Sequence, residues 1–93
     1  MANFIVRIML HNASVSDYER LNMLLVRQGF RPTISLGGDV EYKLPSAQYR
    51  IAGEYEGDEV LEAIYEIASE ISAHPEVLVM ECSVLYFKGL RVV

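Results

Sequence analysis

The chain has one cysteine, Cys82. It cannot close an internal disulfide, which agrees with a reducing, cytoplasmic location. No apolar run approaches the roughly 18 residues that a membrane helix needs. No basic segment followed by an apolar stretch marks a secretory leader, so neither membrane insertion nor export is expected. Cations are scarce: 8 Lys and Arg stand against 13 Asp and Glu, giving a net charge of −5 and a pI near 4.9. Phosphate contacts supply most non-specific affinity for nucleic acid, so this balance argues against a general nucleic-acid binder. There is no Gly-rich phosphate loop. Ser14, Ser16 and Ser83 have no plausible neighbouring base, and repeats, linkers and low-complexity stretches are missing.

What is present is apolar. The 93 residues are 52% hydrophobic with a mean hydropathy of +0.18. One domain, 1–93, is the expected count, and a chain this size buries roughly 60–65% of its unfolded surface. Apolar surface should remain after the core is filled, and such patches signal association.

The order of elements is the clearest signal. Residues 3–11 alternate Phe4, Val6, Ile8 and Leu10 with Ile5, Arg7 and Met9, the period of a strand, and the first set suits the core. Ser16-Asp17-Tyr18-Glu19 reads as a capping box opening a helix over 16–28. Tyr18, Leu21, Leu24, Leu25 and Gln28 form its stripe, and Gly29 sits where a left-handed cap ends it. A hairpin region follows over 30–55. Pro32 cannot donate to a ladder, so its strand belongs at an edge. Gly37-Gly38-Asp39 turns the chain into a return arm at 40–44, and 47–55 supplies a third main strand. Asp58 is the expected N-cap of a second helix over 58–73, whose Val60, Leu61, Ile64, Ile67, Ala68 and Ile71 recur at helical spacing. His74-Pro75 ends that helix, and a last strand covers 76–87. Strand, helix, two strands, helix, strand is the ferredoxin-like βαββαβ plan, an α+β antiparallel sheet with two helices on one face. The plan hosts many unrelated activities.

Placing the residues on this plan yields candidate sites. Glu59, Glu62, Glu66 and Glu70 line one helix face and read as a solvated stripe, since a cation site needs ligands from a second element. His11 ends the first strand and His74 precedes the antiparallel last one, so the two imidazoles meet at one sheet end. They could bind metal or move protons. No Cys or close Asp completes a ligand set, so no metal or cofactor is expected. Arg20 and Arg27 share a face of the first helix, with Arg31 just beyond it, and three guanidiniums along one edge could grip phosphate. Cys82 falls with Leu78, Met80 and Val84 on the inferred core face of the last strand and reads as a small hydrophobe. The face away from the helices should then carry Ile5 and Met9 beside Val77 and Val79, with Arg7 opposite Glu81. An apolar open face of this kind predicts a two-fold homodimer through that face or through the edge of the last strand.

Short motifs add a resemblance. Phe4-Ile5-Val6-Arg7, Asp17-Tyr18-Glu19-Arg20-Leu21, Gly29-Phe30 before Thr33-Ile34, and Tyr42-Lys43-Leu44-Pro45-Ser46-Ala47-Gln48-Tyr49 resemble short bacterial and phage-type proteins. These include the GhoS-like antitoxins of type V toxin–antitoxin systems. The resemblance covers residues 3–55, more loosely the second helix and last strand. It implies a ferredoxin-like fold similar to CRISPR adaptation nucleases and, for the antitoxin branch, endoribonuclease action on the toxin's transcript. An arginine of the first helix is the implied functional residue, corresponding to Arg20, although a shift of two puts Asn22 there. The adaptation nucleases carry an acidic residue at the end of the first strand, where this chain has His11-Asn12. If RNA is cleaved, His11 as general base and Arg20 as phosphate clamp are the available actors. The alternative is a non-catalytic homodimeric interaction module. A small-molecule enzyme has no assembled acid–base pair to support it, and no small-molecule substrate is indicated.

Overall fold

A computed structural model describes residues 2–35 and 38–93. The elements are β1 (Ala2–Met9), α1 (Val15–Arg27), β2 (Thr33–Ile34), β3 (Tyr42–Lys43), β4 (Gln48–Gly53), α2 (Gly57–Ser69) and β5 (Glu76–Glu81). β1 is central and antiparallel to both neighbours in the order β4-β1-β5. β2 and β3 form a separate two-stranded arm. Arg31 ties that arm to the sheet through reciprocal backbone bonds with Arg50, each 2.8 Å. The resulting order is that of a ferredoxin-like α+β fold. The outer strand is reduced to one residue pair because Pro32 follows it and has no N–H to give. The expected Gly37-Gly38-Asp39 turn falls partly outside the described residues.

Helix ends depart from the sequence pattern in instructive ways. The N-cap of α1 is Ser14, not Ser16: the Asp17 amide donates to Ser14 Oγ (3.2 Å) and the Ser14 amide to Asp17 Oδ2 (2.9 Å). Asn12, at φ 53°, turns the chain sharply after β1, so the helix starts early and the earlier box wins. At the other end Gly29 has φ 95°, its amide reaches Val26 O, and the Phe30 amide reaches Leu25 O. That is a Schellman motif, with Phe30 buried beneath it. α2 opens one residue before the expected Asp58, with Glu56 at the cap and its amide donating to Glu59 Oε1 (2.9 Å). It ends at Ser69 rather than 73: the Glu70 and Ile71 amides reach back only three residues, to Ile67 O and Ala68 O, before His74 turns at φ 53° ahead of Pro75.

Two cores lie on opposite sides of the sheet. Phe4, Val6 and Ile8 of β1 meet Leu21 and Leu25 of α1 and Val60, Ile64 and Ala68 of α2, with Tyr49 and Ile51 from β4. Each of the Val, Leu, Ile and Phe side chains contributes roughly 1.5–3 kcal/mol when fully buried. On the reverse face Ile5, Ile34 and Leu44 are buried among Tyr42, Cys82, Leu85, Phe87 and Leu90. The cover comes from the β2–β3 arm and from residues 82–93, which leave the sheet instead of extending the last strand to 87. The Lys43 amide donates to Arg91 O (2.7 Å) and the Val93 amide to Glu41 O (2.9 Å), so this tail lies against the arm as a third strand. Tyr42 and Phe87 pack with ring centroids 5.1 Å apart.

The register of β5 corrects its expected faces. Val79 lies opposite Val6 and Val77 opposite Ile8, so both valines pack on the helix side. Leu78 stands opposite Arg7 and Met80 opposite Ile5, on the reverse face. Arg7 therefore does not face Glu81, whose partner is Phe4. A one-residue change of phase exchanges the two faces of a strand, and β5 is apolar in both phases. Cys82 goes with the reverse face, half-buried, its thiol 3.8 Å from Met80 O.

Candidate functional site

The sheet end where β1 meets the helices forms a cleft of about 280 Å³ lined by His11, Asn12, Asp17, Ile71, Ser72 and Ala73. Its walls are fixed by hydrogen bonds from three elements. The Tyr18 hydroxyl accepts the Leu10 amide (2.9 Å) and donates to Leu10 O (3.3 Å), holding the end of β1 to α1. Ser72 Oγ donates to His11 O (2.9 Å), which holds the chain after α2 to the same point. The His11 imidazole then pairs through Nε2 with Glu76 Oε2 at 2.9 Å, both side chains near half exposure.

The antiparallel pairing of β1 and β5 brings these two chain ends together. There the ring of His11 takes Glu76 as its partner; among the described residues no hydrogen bond joins the two imidazoles. His74 is exposed in its left-handed turn. Among the described residues, no group of three His, Cys, Asp or Glu could hold a metal.

Arg20, Arg27 and Arg31 are exposed, and among the described residues none makes an ion pair. They are spread rather than gathered. At 1.5 Å rise per residue, Arg20 stands about 4.5 Å along α1 from the cleft-lining Asp17, and Arg27 about 15 Å. Arg31 lies past the helix end, its backbone committed to Arg50. Only Arg20 is near the cleft. Asn22 accepts a hydrogen bond from the Tyr49 hydroxyl (3.1 Å), a structural tie between α1 and β4. Burial raises the Tyr49 phenol above its ordinary value.

The reverse face of the sheet is only half covered. Ile5 is 6% exposed beneath the arm and tail, whereas Met9 is 51%, Leu78 55% and Met80 39% exposed. Arg7 lies among them, and β5 is the outer strand on that side. Of the four expected interface residues, Met9 remains on an accessible apolar patch, Ile5 is buried by the chain's own tail, and Val77 and Val79 pack behind the sheet. Leu78 and Met80 take their place. No periodicity in the sequence separates the two sets, because Val77-Leu78-Val79-Met80 is apolar in both phases.

No protein-family model matches the chain, and no curated protein is significantly similar to it. Among the described residues no helix is long and apolar enough to cross a membrane.

Proposed function

We propose that this protein is a self-associating interaction module, a two-fold homodimer formed through the uncovered half of its sheet and the outer edge of β5. The observation that carries this is the exposed Met9, Leu78 and Met80 beside an edge strand. Edge strands are normally blunted by charge, proline or a bulge, and here the charges, Glu76 and Glu81, stand only at the strand's two ends. The middle, Val77–Met80, is free to pair with a second copy, and a two-fold axis lets the same patch serve both partners. Light scattering at micromolar concentration should give twice the 10.5 kDa chain mass. Leu78→Glu should return the single mass with an unchanged fold. A wild-type monomer would overturn the proposal.

A second reading is an antitoxin-like endoribonuclease, favoured by the His11–Glu76 pair in a polar cleft one helical turn from Arg20. With Nε2–H donating to Glu76, the Nδ1 lone pair is free to take a proton from an RNA 2′-hydroxyl. The oxygen then attacks the adjacent phosphorus to form a 2′,3′-cyclic phosphate as the bond to the 5′-oxygen breaks. That oxygen leaves as a hydroxyl with a proton from water, His11 returns its proton to solvent, and Arg20 stabilises the charge on the phosphoryl oxygens. Short RNAs incubated with wild type, His11→Ala and Arg20→Ala, with and without EDTA, test it. The reading requires cleavage by the wild type that each substitution abolishes. Cleavage that neither substitution affects would remove both residues from the mechanism.

A further inference from the structure

Charge is not evenly spread along this acidic chain. Residues 42–53 and 82–93 contain Lys43, Arg50, Lys88 and Arg91, half of the cations, and none of the 13 carboxylates. The fold lays the start of the first segment against the end of the second. Lys43 and Arg91 are joined backbone to backbone at 2.7 Å. Beside that joint lies a second cleft, of about 280 Å³, lined by Lys43, Leu44, Pro45, Ser46, Gly89, Leu90 and Arg91.

We infer that this cleft binds a phosphoryl group, with Lys43 and Arg91 as the charged clamps and the Ser46 hydroxyl as a neutral donor. Both cations are exposed, and among the described residues neither is in an ion pair. The nearest carboxylate along β3, Glu41, is turned to the Thr33 hydroxyl at 2.9 Å. Leu44 and Leu90 form an apolar backing that lowers the local dielectric, where a charge-assisted bond to an anion is stronger. Gly89 at φ 79° turns the tail so that Arg91 comes back to Lys43, a conformation that a side chain would strain. The volume falls just short of the roughly 300–1,000 Å³ of small-molecule sites, which suits a phosphate group more than a whole cofactor. The remaining chain is strongly acidic, so this corner is where an anion meets least repulsion. Tyr86, 91% exposed two residues before Lys88, adds an aromatic surface near the same turn.

The test is a titration of ¹⁵N-labelled protein with inorganic phosphate, adenosine, adenosine 5′-monophosphate and a short oligothymidylate. Amide shifts should concentrate at 43–46 and 89–91 with every phosphorylated probe and be absent with adenosine. Lys43→Gln with Arg91→Gln should weaken binding about tenfold or more, while Arg27→Gln, a charge removed outside the cleft, should leave it unchanged. The variant spectra away from the cleft report that each protein is folded. If the oligonucleotide binds more tightly than the monophosphate, with an affinity falling as log salt with slope about −0.7 per contact, the phosphoryl groups come from a polymer backbone. If not, they come from a free monoester. Shifts centred elsewhere, an equal loss of binding with Arg27→Gln, or no shifts at millimolar phosphate would overturn the inference.

Discussion

The two faces of the sheet are built by different means. On the helix side, two amphipathic helices lay continuous stripes over β1, and Phe4, Leu21, Leu25 and Ile64 are fully enclosed. On the reverse side the cover is a two-stranded arm and a tail without regular structure for most of its length. It encloses Ile5, Ile34 and Leu44 and leaves Arg7, Met9, Leu78 and Met80 bare. The first face carries most of the stability; the second trades enclosure for accessible surface. Both sites proposed beyond the cleft at His11 lie with the second face.

The largest expected effect separates the two cores directly. Ile64→Ala should cost about 2–5 kcal/mol, near the upper end because nothing around it can collapse, while Ile34→Ala should fall near the lower end, at about 2 kcal/mol. Urea melts of both variants measure it, and equal losses would erase the distinction. Next comes removal of residues 83–93. This should expose the Ile5 cluster, lower stability by about 2–3 kcal/mol and raise binding of a hydrophobic dye, with helical dichroism retained. Loss of helix would mean that the reverse face is not subordinate.

A smaller effect is confined to the helix side. The Tyr49 phenol has a folded pKa above its unfolded value, so its contribution is present below the unfolded pKa of about 10 and is lost as pH rises through the folded one. Thermal midpoints should therefore drop at alkaline pH, and Tyr49→Phe should flatten that drop while losing the bond to Asn22. Leu78→Glu should have the smallest effect on stability, within about 0.5 kcal/mol, although it should abolish self-association.

How much of this was legible varies with the physics that fixes each part. The helix-side core was readable because Leu21, Leu25, Val60, Ile64 and Ala68 recur at a period only a helix satisfies. β5 was not, because Val77-Leu78-Val79-Met80 is apolar in both phases and only its pairing with β1 chooses between them. The tail could not be foreseen from periodicity: Leu85, Phe87 and Leu90 continue an apolar strand pattern, and the departure from the sheet depends on the distant residues Glu41 and Lys43. At the candidate site, the meeting of chain ends at His11 followed from topology. The choice of Glu76 over His74 depended on a left-handed turn that local sequence does not announce.

The pairing of Arg91 with Lys43 joins points half a chain apart, and neither approaches the other until β1, β4 and β5 have assembled. The tail lies across an arm and a sheet that must already be in place, so its contact should form on the native side of the folding barrier. The tail should therefore leave the rate of folding untouched and set how fast the molecule comes apart. In kinetic terms it is a latch that closes last and opens first.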